Sequence, residues 1–111
     1  EHKNANMYDN VVKKFSAYEN VNVVPGHVPD SFEKAFPEEI AFAHMDMNQA
    51  SAEAKALDLI LPRLSKHGYV IFDDYGWWGY SSQKKALDPI AEKYGTSILE
   101  LPTGQGLLVK N

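Results

Sequence analysis

The 111-residue sequence contains no cysteine, which excludes disulfide frameworks, cysteine-ligated zinc and thiol redox chemistry. That absence fits a cytoplasmic protein. Long apolar runs are missing too: none exceeds Tyr69–Phe72, far short of the roughly 20 residues that a membrane-spanning helix needs. The opening residues, EHKNANMYDN, hold no apolar core of a secretion signal, so no membrane partner is expected. Positive charge is not in excess, with 11 Lys and Arg against 15 Asp and Glu. This argues against a nucleic-acid surface, and the dispersal of the acids argues against an acidic tail. An initiator Met is also lacking, as expected of a chain that begins after processing or inside a longer gene.

What is present reads as alternating helices and strands. Met7, Val11, Phe15 and Tyr18 recur at helical spacing and predict an amphipathic helix over 5–18. Val21–Val24 is a β-branched run closed by Pro25-Gly26 and predicts a strand. A short helix, SFEKAF, is expected to end before Pro37. Ile40–Met45 predicts a buried strand ending at Asp46, and 51–64 a helix with Ala54, Leu57, Leu61 and Leu64 on one face and Pro62 disturbing its last turn. His67-Gly68 turns into the strand Tyr69–Phe72, which ends at Asp73-Asp74. A helix follows from Ser81 or Ser82, with Leu87, Ile90 and Tyr94 inward and a kink or early stop at Pro89. SILEL and LLVK flank PTGQG and predict an antiparallel hairpin. The order α-β-α-β-α-β-α-β-β predicts one open α/β domain over 1–111, its central strands covered by helices on both faces.

Asp46 directly follows one predicted buried strand, and Asp73-Asp74 directly follow the next. Ligands of open α/β sheets collect at the carboxyl ends of parallel strands. Three carboxylates gathered there repel one another unless a cation sits among them. Oxygen donors without His or Cys favour Mg²⁺, with Mn²⁺ or Ca²⁺ as alternatives. Asp after a strand also serves as a turn former or helix cap, and spacing alone leaves both readings open.

The stretch from Phe42 to Gly79, FAHMDMNQASAEAKALDLILPRLSKHGYVIFDDYGWWG, resembles the macrocin O-methyltransferase family of class I methyltransferases. The resemblance is carried by His44-Met45-Asp46, Leu61-Pro62-Arg63-Leu64, Gly68 and Phe72-Asp73-Asp74-Tyr75-Gly76, in that order. It implies an S-adenosylmethionine- and divalent-metal-dependent O-methyltransferase acting on a sugar or small-molecule hydroxyl, with Asp46, Asp73 and Asp74 as metal ligands. It also implies Gly26, His27, Val28 and Asp46 as cofactor contacts. Asn48 stands in the catalytic position where many members have an Asp that serves as general base. An amide cannot accept that proton at neutral pH, so Asn48 is also read as a helix cap.

Tyr75, Trp77 and Trp78 put aromatic rings beside the predicted metal site, as substrate contacts or as filling between loop and sheet. His44, on a strand, is expected to be a satisfied core histidine. No Gly-rich turn after an early strand is found. By the resemblance the chain is the C-terminal part of an incomplete Rossmann-like sheet, retaining strands 3, 4, 5, 7 and 6 of the order 3-2-1-4-5-7-6. The third strand would dock beside the fourth or pair with another copy, making a homo-oligomer through an exposed strand. Such a fragment is expected to be inactive alone. A non-catalytic self-associating α/β module is the alternative. A Mg²⁺-dependent phosphoryl-transfer or receiver-like domain fits less well, because the single Asp precedes the pair and Asn48 is not acidic.

Overall fold

The apolar stripes of the sequence settle into helices and strands that a computed structural model describes for residues 2–47, 49–76 and 81–111. The chain divides into two units, Glu1–Phe36 and Pro37–Asn111. In the first, α1 spans His2–Phe15, and the rings of Phe15 and Tyr18 lie 6.2 Å apart. A 3-10 turn covers Asp30–Glu33, where a short helix was expected. Val21–Val24 does not form the predicted strand. A β-branched run favours extended backbone, but a strand needs a neighbour to take its N–H and C=O groups, and this unit supplies none among the described residues. Gly26 turns the chain just after it, at φ +123°.

The second unit holds β1 (Ile40–Met45), α2 (Ala50–Ile60), β2 (Leu64–Phe72), α3 (Ser81–Lys93), β3 (Ile98–Glu100) and β4 (Gly106–Val109). The sheet order is β1-β2-β4-β3, with β1 and β2 parallel and both β4 pairings antiparallel. That is the 4-5-7-6 portion of the expected sheet. β1 is an edge, and no third-strand equivalent docks beside it among the described residues. The predicted turn at His67-Gly68 survives inside β2 as a bulge. Between the pairs Ile40–Leu64 and Phe42–Tyr69, Ala41 of β1 faces the whole of Ser65 to Gly68 of β2, and His67 takes φ 69°. Pro62 converts the end of α2 into a 3-10 turn over Leu61–Arg63. The Lys110 amine then donates to the carbonyls of Leu61 and Leu64 at 3.0 and 2.6 Å, satisfying two acceptors that the helix end leaves free.

Helices α2 and α3 pack on each other beside the sheet. Ala56, Leu57, Ile60, Leu87 and Ala91 are buried with Val70, Phe72 and Leu108, each large side chain contributing roughly 1.5–3 kcal/mol of transfer energy. Helix α3 runs through Pro89 to Lys93, so the early stop is not observed. Tyr94 points outward, its hydroxyl donating to Asp58 at 2.7 Å, rather than inward as expected.

The expectation of two covered faces holds for one only. Phe42, Tyr69, Leu99 and Val109, which share the other face by register, stay 51, 44, 62 and 44 % exposed. No helix among the described residues is long and apolar enough to cross a membrane.

Candidate metal centre

The parallel pairing of β1 with β2 places Met45 opposite Phe72, so the residues that follow the two strands emerge side by side. The Asp73 N–H donates to the Met45 carbonyl at 2.9 Å, extending the ladder one step into the loop. As a result Asp46, Asp73 and Asp74 each bring one carboxylate oxygen within 4.8 Å of the other two. Asp46 is exposed and the other two half-buried. Partial burial, with Asp73 and Asp46 as charged neighbours, pushes the Asp74 carboxyl above its ordinary range.

Two features hold Asp73. The Gln105 amide donates to Asp73 Oδ1 at 3.2 Å, and His44 Nε2 lies 3.5 Å from the same oxygen. His44 is therefore not the core histidine expected from its strand. It is exposed, because past the irregularity after Ile40 it shares the uncovered side of the sheet with Phe42. The hairpin turn reaches the site by a second route, since the Gly104 carbonyl accepts from the amides of Tyr75 and Gly76 at 3.1 and 2.7 Å. Gly104 itself sits at φ +89°, a conformation that glycine adopts without strain.

A fourth carboxylate stands behind the three. Glu53, in the first turn of α2, is 1 % exposed. Its Oε2 accepts from the Met47 N–H at 3.2 Å, and Oε1 has no hydrogen-bond partner among the described residues. Burial, with Asp74, Asp46 and Asp73 nearby, pushes its pKa to about 7, against a lowering by the Met47 amide. Sequence reasoning missed Glu53 and Gln105. The signal for Glu53 is its spacing: it precedes Leu57 by four and Ala56 by three, on the apolar face of α2.

The aromatic cluster divides. Tyr75 is 2 % exposed, and its hydroxyl donates to Asp88 of α3. Its ring lies where a Cβ on Gly106 would come within 2.8 Å of Tyr75 Cγ. Burial, then the Asp88 contact, raises its pKa. Tyr75 is thus a strut between loop, hairpin and helix, and not the open stacking surface expected. Trp77 and Trp78, like Asn48, lie outside the described residues. Gly26, His27 and Val28 belong to the first unit and Asp46 to the second. The His27 carbonyl accepts from the Ser31 amide at 2.7 Å, and a Cβ on Gly26 would meet Ser31 Cβ at 3.3 Å, so the glycine there answers to its own turn.

A family model described as a methyltransferase domain matches residues 1–75, which include all three aspartates. No curated protein matches the sequence. Among solved structures, that of the O-methyltransferase NovP matches with a TM-score of 0.74 at 22 % identity, over 93 % of this chain and 44 % of that one. At that identity the likeness speaks for the fold. This chain spans less than half the length of NovP.

Proposed function

The chain belongs to the methyltransferase-domain family, and from that premise we propose that it forms the metal-binding part of an O-methyltransferase of the macrocin type, acting on a sugar or small-molecule hydroxyl. The observation that carries this reading is the convergence of Asp46, Asp73 and Asp74 from the ends of two neighbouring parallel strands. The donors are all carboxylate oxygens, which suits Mg²⁺. The partnerless Oε1 of Glu53 marks a place where negative charge exceeds what the described residues compensate. Both features fit a divalent cation.

Asp46, Asp73 and Asp74 would hold that ion, with Gln105 and His44 steering Asp73. Bound there, the ion supplies Lewis-acid polarisation of the acceptor hydroxyl and a template for its orientation. The protein's own contribution is positional: the Asp73–Met45 and Gly104 hydrogen bonds fix where the carboxylates stand, and fixed geometry lowers the entropic barrier to reaction.

S-adenosylmethionine, the usual methyl donor of methyltransferases, is the proposed cosubstrate, with Gly26, His27, Val28 and Asp46 as proposed contacts. We further propose that the 111 residues bind the cation without turning over.

Calorimetric titration of the chain with Mg²⁺ tests the reading. Wild type should bind, and Asp73→Asn/Asp74→Asn should lose binding; equal binding by both overturns the ligand assignment. A second reading, self-association, is favoured by the open apolar face of Phe42, Tyr69, Leu99 and Val109. A clean monomer in sedimentation removes it.

A further inference from the structure

Among the described residues, helix α2 begins without the usual help. Its N-cap residue, Gln49, makes no side-chain hydrogen bond to the first turn, although short polar side chains ordinarily satisfy those free amides. Instead the Glu53 carboxylate reaches back past the helix start to the Met47 amide, one residue after Asp46. It does so from a buried position, with its second oxygen unpartnered among the described residues and with Asp74, Asp46 and Asp73 as its charged neighbours.

For folding alone this is a poor choice. A buried carboxylate with one lone oxygen and three like charges beside it costs stability, and a leucine would fill the same space without that cost. Its single side-chain hydrogen bond among the described residues is to the segment that carries Asp46.

We propose that Glu53 is a positioning residue for the cation site: by holding the Met47 amide it sets where Asp46 stands relative to Asp73 and Asp74. The inference rests on the metal reading above. It assigns Glu53 no direct bond to the ion. Among the described residues, the loop leaving β1 would otherwise have the Asp73–Met45 hydrogen bond alone to fix it, and that bond lies on the strand side of Asp46. Glu53 pins the other side, so Asp46 is held between two fixed points. Arrangement of ligands by groups that do not themselves touch the ion commonly governs affinity in metal sites.

The test uses the full chain and Mg²⁺ alone, comparing wild type, Glu53→Leu, Glu53→Gln and Asp73→Asn/Asp74→Asn by calorimetry, with thermal unfolding in the absence of cation as the control on folding. Glu53→Leu should unfold at or above the wild-type temperature, yet bind Mg²⁺ about tenfold or more weakly, in line with the loss of a group that orients ligands. Glu53→Gln keeps a carbonyl oxygen for the Met47 amide and should recover most of the affinity.

A purely structural role predicts the opposite pairing, with a lower unfolding temperature and unchanged affinity. The proposal is overturned if Glu53→Leu binds as wild type, if it fails to fold without cation, or if glutamine binds as weakly as leucine. A wild-type chain that binds no Mg²⁺ overturns the three-aspartate reading and this inference with it. Wild-type binding that is lost in Asp73→Asn/Asp74→Asn but kept in Glu53→Leu overturns the inference alone.

Discussion

Helix α2 carries two acidic residues little more than a turn apart, and their surroundings are opposite. Asp58 is at the surface, its carboxylate accepting from Lys93 at 3.0 Å and from Tyr94 at 2.7 Å. Those hydrogen bonds, Tyr94 first, hold its pKa below the usual range. Glu53 is buried, singly bonded and faced by three carboxylates, and its pKa rises to about 7. The same helix therefore satisfies a charge where it ties α2 to α3 and leaves one frustrated where the strands end. The contrast separates a structural acid, complete within the protein, from an acid whose surroundings the described residues leave incomplete.

The largest effect that probes this contrast comes from the packing between the two residues. Leu57, fully buried, supports both ends of the helix. Leu57→Ala should cost about 2–5 kcal/mol in denaturant unfolding and weaken both neighbourhoods together. Survival of Mg²⁺ binding with full stability would show that the helix does not couple them.

Next comes the pH response of Glu53. Its folded pKa of about 7 lies above the ordinary 4.5, so between those values the folded state holds a proton that the unfolded state has released. Stability should fall as pH rises through that window, by about 3 kcal/mol at most, when no divalent cation is present. Thermal unfolding from pH 4.5 to 7.5 should show the decline in wild type and a flatter profile in Glu53→Leu, and added Mg²⁺ should offset the decline at neutral pH. An equal slope in both proteins would place the cause elsewhere.

Tyr75→Phe comes third. It removes a hydroxyl whose partner, Asp88, is half-buried, and a loss of about 1–2 kcal/mol is expected, with Mg²⁺ affinity little changed. The smallest effect belongs to the exposed pair. Asp58→Asn should leave Mg²⁺ binding untouched and shift the unfolding temperature least, more at low salt than at high.

Much of the second unit was legible in the sequence because its signals are local. The runs at 40–45 and 69–72, Pro62 at the end of α2 and the PTGQG turn each predict their own structure, and the strand order follows from the resemblance. The aspartates were legible because they sit directly after strands. Val21–Val24 shows the limit. Its composition favours extension, but pairing depends on a neighbour that composition does not report. His44 was misassigned because a strand's own residues do not reveal which face stays open. Gln105 acts over a distance in sequence that no motif spans, Glu53 is set by which face of α2 is buried, and Tyr75 is buried by a glycine in the hairpin, Gly106, far along the chain. Long-range packing, more than local propensity, decided each of these.

The contact between Gln105 and Asp73 spans 32 positions, and the Gly104 carbonyl secures the amides of Tyr75 and Gly76 over a similar interval. A ribosome adding roughly 5–20 residues per second therefore releases the three aspartates seconds before the turn that steadies them. During that delay the nascent carboxylates stand at the end of a β2 that has β1 as its neighbour but lacks β4, which has yet to be made. Assembly of the acidic centre is thus vectorial: its aspartates emerge first, and the hairpin closes the arrangement afterwards.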